Sequence, residues 1–176
     1  FVKPANLGSS VGINKSTNDD DLIRHVDAAF QYDAFVIAEQ GIEAREIETS
    51  VLGNSDPQVS VVGEVIPSRD FYSYEAKYLD GNSELVIPAS LTKKQVQRVQ
   101  TLALKTFKVL QLEGMARVDF LMEKGTKKFW INESNTLPGF TSISMYPKLW
   151  EKSGLSYAEL LDRLIKLGME RHRLRS

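Results

Sequence analysis

Residues 114–141 constrain this chain most. They read Gly114-Met-Ala-Arg117-Val-Asp119-Phe, a short turn, and then Trp130-Ile-Asn-Glu133-Ser-Asn135-Thr-Leu-Pro138-Gly139-Phe-Thr. Residues 116–122 and 127–133 have strand character, and Gly125 lies between them in a run of Lys and Thr, which is turn chemistry. Side chains alternate along a strand, so Arg117, Asp119 and Leu121 share one face. By the same rule Phe129, Ile131 and Glu133 share a face, and Asn135 continues it. A symmetric hairpin with Gly125-Thr126-Lys127 as its loop sets Asp119 opposite Glu133 and Arg117 opposite Asn135. Opposed Cβ atoms lie about 4.5–5.5 Å apart, and like charges there repel unless a cation sits between them.

Two carboxylates and an amide at that separation suit a hard divalent cation such as Mg²⁺, which takes oxygen ligands and completes its shell with water and phosphates. The same residues equally suit a solvated hairpin end in which Asp119 pairs with Arg117 or a nearby Lys. Spacing does not choose between the two, and a bulge would break the assumed register.

The 176 residues suffice for one domain with a real core. A net charge of −1 gives no electrostatic case for nucleic acid. The absence of cysteine excludes disulfide and thiolate chemistry. No apolar run approaches the roughly 20 residues that span a bilayer, so no membrane association is expected. Phe1-Val-Lys3 reads as the middle of a strand, as if the chain were part of something longer.

Lys3-Pro4 leads into Gly8-Ser9-Ser10-Val-Gly12, a small-residue loop that can bring backbone N–H groups close to an anion but lacks Walker spacing. Ser16-Thr17-Asn18 ahead of Asp19-Asp20-Asp21 starts a helix whose apolar stripe is Leu22, Ile23, Val26, Ala29 and Phe30. His25 reads as a surface residue. Residues 34–39, 45–51 and 59–66 read as an antiparallel meander, the middle strand half-exposed. Residues 67–88 lack a period and read as one long loop. Thr92 and Gln95 form a capping box for a helix that buries Val96, Val99, Leu102, Ala103, Thr106, Phe107 and Leu110. Ser156 caps a last helix, and the basic tail 171–175 frays.

Together, Lys3-Pro…Gly8-Ser9-Ser10-Val-Gly12, Glu39-Gln-Gly41-Ile…Arg45-Glu46, Tyr74-Glu-Ala-Lys77-Tyr78, Arg117-Val-Asp119 and Glu133-Ser-Asn135-Thr-Leu-Pro138-Gly139-Phe-Thr141-Ser142 resemble the C-terminal part of the D-alanine–D-alanine ligases of the ATP-grasp superfamily. The resemblance covers nearly the whole chain in family order. It implies one α+β catalytic domain over 1–176, a mainly antiparallel sheet flanked by helices, with an upstream domain outside it. It implies ATP-dependent ligation of two D-alanines through an acyl phosphate, for peptidoglycan precursors, by a cytoplasmic homodimer. It makes Asp119, Glu133 and Asn135 ligands of two Mg²⁺ ions, with Mn²⁺ as an alternative. Lys3, Glu39, Ile42, Glu46, Phe71, Lys77 and Leu121 become ATP contacts. Arg117 and the Gly139 N–H become the oxyanion pair, Ser9 and Tyr78 a latch between loops, and Ser144 and Met145 the region holding the second substrate. Another acceptor, such as D-lactate, and a nucleotide-binding module inactive without an upstream half are the alternatives. The isolated chain is expected to form no dipeptide.

Overall fold

The computed structural model describes residues 1–8, 10–67 and 84–175. The contacts of the chain group into two compact units, Phe1–Glu43 with Pro67–Glu84, and Ala44–Ile66 with Leu85–Ser176.

In the first unit, strand β1 (Val2–Pro4) pairs antiparallel with β2 (Val36–Ala38), placing Lys3 opposite Ile37. Helix α1 (Asp19–Ala29) connects them, and Asn18 Oδ1 caps it by accepting the Asp21 N–H at 2.8 Å. The small-residue loop takes positive φ at Ser10 (60°) and Gly12 (71°). His25 is half-buried rather than a free surface residue, because Nδ1 meets Ser16 Oγ at 2.9 Å. One expectation fails here. Strand β2 is hydrogen-bonded to β1 and so does not extend a meander. The α1 stripe is largely uncovered, with Ile23 63% and Phe30 52% exposed and only Ala29 fully buried.

The second unit is built on an antiparallel sheet of order β5-β4-β3-β6-β7 among the described residues. Its strands are β3 (Ala44–Gly53), β4 (Gln58–Ile66), β5 (Glu84–Val86), β6 (Gly114–Glu123) and β7 (Phe129–Asn135). Helix α2 (Lys93–Val109) lies between β5 and β6 in sequence, α3 (Met145–Lys152) and α4 (Tyr157–Arg175) after β7. Alternation along the strands sends Ile47, Val51, Val118, Phe120 and Met122 to one face, where they pack with Val99, Ala103 and Phe107 of α2. The other face carries Leu52 and Met115, which pack with Tyr146 and Trp150 of α3 and Leu160 of α4. Close packing of α3 requires Gly63: a Cβ there would sit 2.9 Å from Leu149 Cδ2 and 3.1 Å from Met145 Sδ. Tyr146 donates its OH to the Val51 carbonyl at 3.1 Å and pins α3 to β3.

The expected α+β architecture is present, with differences in detail. Strand β3 is central, so residues 47–53 are buried instead of half-exposed. Residues 84–86 form the edge strand β5 within what reads as loop. Helix α3 does not stand out in the sequence because Pro147 falls in its first turn, where a missing N–H costs nothing. Leu110 is the α2 C-cap and exposed. The tail is helical to Arg175, and Arg171 Nε donates to Glu113 Oε2 at 2.5 Å.

Candidate active site

The hairpin register is as expected at its functional end and arises differently. Asp119 opposes Glu133 and Arg117 opposes Asn135. Nearer the turn, Phe120 opposes Ile131 and Met122 opposes Phe129, so Asn132 is an extra residue in β7. The connection is also longer than the assumed three residues, since Glu123 N–H meets the Lys128 carbonyl at 2.9 Å. One residue more in the turn and one bulge cancel, and the carboxylates meet. The bulge also corrects the face assignment. Opposed residues share a face, so Phe129 and Ile131 lie with Met122 and Phe120 on the α2 side, and Glu133 lies with Asp119 on the other.

Three rows therefore cross β3, β6 and β7 on the face away from α2. Ser50, Arg117 and Asn135 form the first; Glu48, Asp119 and Glu133 the second; Glu46, Leu121 and Trp130 the third. Neighbouring strands lie about 4.8 Å apart, so each row is a set of near neighbours. Helix α3 covers part of this face at Gly63, the residue opposite Glu48 on β4. Glu48 is accordingly only 9% exposed.

Arg117 reaches along its own strand. Its Nε donates to Asp119 Oδ1 at 2.7 Å and its Nη2 to Asp119 Oδ2 at 2.6 Å. Nε also lies 3.1 Å from Glu48 Oε2, and Nη2 4.0 Å from Glu133 Oε1. Burial of this guanidinium opposes its charge, but the Asp119 hydrogen bonds and the pull of Glu48, Asp119 and Glu133 outweigh it and hold its pKa above the ordinary arginine value. The cation between the carboxylates is thus an arginine from the same hairpin. Asn135 Nδ2 donates to Glu133 Oε1 at 3.1 Å, which keeps its amide beside the carboxylate.

The donor chemistry fits a divalent cation. Two carboxylates and an amide carbonyl are oxygen ligands, and three carboxylates against one guanidinium leave a formal excess of two negative charges. Among the described residues no three His, Cys, Asp or Glu side chains form a ready metal cage, so waters and phosphate oxygens would complete the shell.

After β7 the chain turns through Pro138, and Phe140 packs on Tyr146 and Tyr157 at ring separations of 5.4 and 6.1 Å. Ser144 Oγ accepts the Thr141 N–H at 3.0 Å and meets Thr141 Oγ1 at 2.9 Å, closing the loop on itself. A Cβ at Gly139 would lie 2.8 Å from Ser144 Oγ, so a side chain there would displace that hydroxyl. The Met145 side chain is buried on Gly63, so only its backbone can face a ligand.

In the first unit, Lys3 Nζ and Glu39 Oε1 form an ion pair at 2.7 Å, and Ile42 is half-buried in the connector. Glu46 and Leu121 are directly opposed on the sheet face just described. Ser9, Phe71, Lys77 and Tyr78 lie outside the described residues. Sequence reasoning missed Glu48. Its one signal was even spacing from Glu46 on β3, which a solvated polar face would show equally.

The α+β fold, an antiparallel sheet with helices packed on both faces, is that of the ATP-grasp class. The family described as D-ala D-ala ligase C-terminus matches residues 1–166, and the chain belongs to it. The D-alanine–D-alanine ligase of Thermoanaerobacter sp. strain X514 is 57% identical over 173 residues, 98% of this chain and 48% of that protein. The D-alanine–D-alanine ligase B of Clostridium tetani is 54% identical over 96% of this chain and 47% of its own length. Among solved structures, the D-alanine–D-alanine ligase from Coxiella burnetii superposes with a TM-score of 0.88 at 39% identity, over 99% of this chain and 46% of that one. The VanG D-Ala:D-Ser ligase from Enterococcus faecalis superposes with a TM-score of 0.85 at 36% identity, over 95% of this chain and 48% of that one. The chain spans about half the length of these relatives. Among the described residues no helix is long and apolar enough to cross a membrane.

Proposed function

We propose that residues 1–176 are the ATP-grasp catalytic portion of a D-alanine–D-alanine ligase, which joins two D-alanines at the expense of ATP for peptidoglycan precursors. The complete protein is read as a cytoplasmic homodimer on the same family grounds. The observation that carries the activity is the single sheet face on which Arg117 stands among Glu48, Asp119 and Glu133, with Asn135 beside it and Leu121 in the next row.

The reaction has two steps. The carboxylate of one D-alanine attacks the γ-phosphate of ATP, giving an acyl phosphate and ADP. The amine of the second attacks the acyl carbon, and phosphate leaves. The first step brings two anions together. Asp119, Glu133 and Asn135 would hold Mg²⁺, which supplies charge neutralisation to the phosphates. Lys3 and Lys77 add positive charge, Glu46 accepts from the ribose hydroxyls, and Leu121 and Phe71 offer apolar surface to the base. Glu39 and the Ile42 backbone are assigned to the adenine edge. The second step builds a tetrahedral oxyanion, for which the Arg117 guanidinium and the Gly139 N–H are the assigned donors. One such donor is worth about 10²–10³ in rate. Ser144 and the Met145 backbone are assigned to the second substrate, and Ser9 with Tyr78 to the latch that excludes water from the acyl phosphate.

The test is ADP release driven by D-alanine in the complete protein. Arg117→Ala is expected to slow turnover by about 10²–10³, and Asp119→Asn to raise the Mg²⁺ concentration needed for half-maximal turnover. Arg117→Ala turnover within a few-fold of the parent would show the oxyanion role to be misplaced. The likeness to a D-Ala:D-Ser ligase favours one second reading, a different acceptor. D-alanine, D-serine and D-lactate offered in parallel decide it.

A further inference from the structure

Each hydrogen on Arg117 Nε and Nη2 has a limited choice of acceptors. The single Nε–H is donated to Asp119 Oδ1, while Glu48 Oε2 lies 3.1 Å from the same nitrogen. Nη2 donates to the other Asp119 oxygen. Both oxygens of Asp119 are therefore engaged by Arg117, and a cation bound by Asp119 either shares an oxygen with the guanidinium or displaces it. Two positive charges on this one carboxylate, which is 8% exposed, repel each other.

Glu48 is placed to resolve the conflict. It stands on β3 directly opposite Asp119, on the side away from β7 and Glu133. Its strand is central and is held by the Tyr146 hydroxyl of α3 through the Val51 carbonyl. Among the described residues it is the carboxylate of the row that the resemblance leaves without a part in metal binding. We propose that Glu48 is a positioning residue: it takes over the Arg117 Nε–H when a divalent cation engages Asp119, and so keeps the guanidinium over the sheet face while the cation occupies the Asp119–Glu133 side. This rests on the metal site proposed above. Without Glu48, Arg117 would lose the β3 carboxylate that lies 3.1 Å from its Nε, and cation binding would pull it away from Asp119 without that compensation.

Arg117 and Glu48 should then be coupled in metal affinity. The measurement is Mn²⁺ titration of the complete protein at a fixed ADP concentration, followed by the EPR signal of the free ion. Glu48→Ala is expected to weaken Mn²⁺ binding about tenfold, the scale of a lost outer-shell partner. Glu48→Gln keeps an acceptor oxygen and should lose less; it is also the isosteric variant that safeguards the fold. Arg117→Ala removes the competing cation and should tighten binding. In the Arg117→Ala background, Glu48→Ala should change affinity less than twofold, because nothing remains to be repositioned. Equal weakening in both backgrounds would make Glu48 a direct metal ligand and overturn the proposal. Unchanged affinity in both would leave it a structural ion pair and overturn it as well. Binding that is indifferent to Asp119→Asn marks a different failure, that of the metal site itself, and takes this proposal with it.

Discussion

Helix α1 opens on Asn18, whose Oδ1 accepts the Asp21 N–H, and helix α2 opens on Thr92, whose Oγ1 accepts the Gln95 N–H at 3.3 Å while Gln95 Oε1 accepts the Thr92 N–H at 2.9 Å. Both carry an apolar stripe at helical spacing. Their surroundings differ. Val99, Ala103 and Phe107 of α2 are buried in the core of the sheet, whereas Leu22, Ile23 and Phe30 along α1 face outward. A helical stripe records that something must be covered; it does not say that the covering surface is in the same unit. The second unit has a sheet to supply cover, and the first has two three-residue strands.

The largest effect expected from this contrast is on stability. Phe107→Ala removes a side chain that is 1% exposed and should cost about 3–5 kcal/mol. Ile23→Ala should stay within about 0.5 kcal/mol, as exposed positions do. Urea unfolding of the chain gives both numbers, and tryptophan emission reports the second unit alone, because Trp130 and Trp150 both belong to it. An Ile23→Ala cost as large as that of Phe107→Ala would mean that the α1 stripe is covered after all, and the comparison would break.

The two caps give a smaller test. Removing an N-cap acceptor costs about 1 kcal/mol wherever the helix is part of the cooperative core. Thr92→Ala should therefore lower the tryptophan-detected midpoint. Asn18→Ala should leave that midpoint unchanged and instead speed amide exchange within residues 19–29, where opening is local. Equal shifts of the tryptophan midpoint in both variants would show the two units to unfold as one.

Helix α2 and the hairpin were legible because each rests on local chemistry: a cap followed by a 3.6-residue period, and two alternating runs around a Gly-containing turn. The Asp119–Glu133 pairing was legible too, though the Asn132 bulge that secures it was not, since no residue type announces one. What stayed hidden was set by neighbours remote in sequence. Strand β3 alternates polar and apolar residues as an edge strand does, but β4 and β6 flank it, and α3 roofs its polar face at Gly63. Glu48 consequently becomes a buried partner of Arg117, which only the register between β3 and β6 reveals. Strand β5 is three residues long, too short for a period of two to show.

The smallest expected effect compares an acidic cap in each unit. Glu159, at the start of α4, accepts from Ser156 Oγ at 2.6 Å and from the Ser156 N–H at 3.0 Å. Asp21, in the first turn of α1, accepts from Thr17 Oγ1 at 2.9 Å. The Ser156 hydroxyl holds the Glu159 carboxyl below the usual glutamate range, with help from its backbone N–H and Arg163, and the Thr17 hydroxyl does the same for Asp21, helped by its backbone N–H, Arg24 and His25. A folded-state pKa below the unfolded one means each carboxylate stabilises its helix above its unfolded value. That contribution is lost as pH falls through the depressed folded value. Acid should therefore loosen both helix starts, with different reach: α4 packs through Leu160 into the second core, while α1 has only Ala29 buried. Carboxyl ¹³C shifts followed against pH give the two titrations directly. Ser156→Ala should move the Glu159 midpoint up toward the ordinary glutamate value and leave Asp21 unmoved, and Thr17→Ala should do the reverse. A Glu159 titration that is identical with and without the Ser156 hydroxyl would remove the cap as the cause of its acidity.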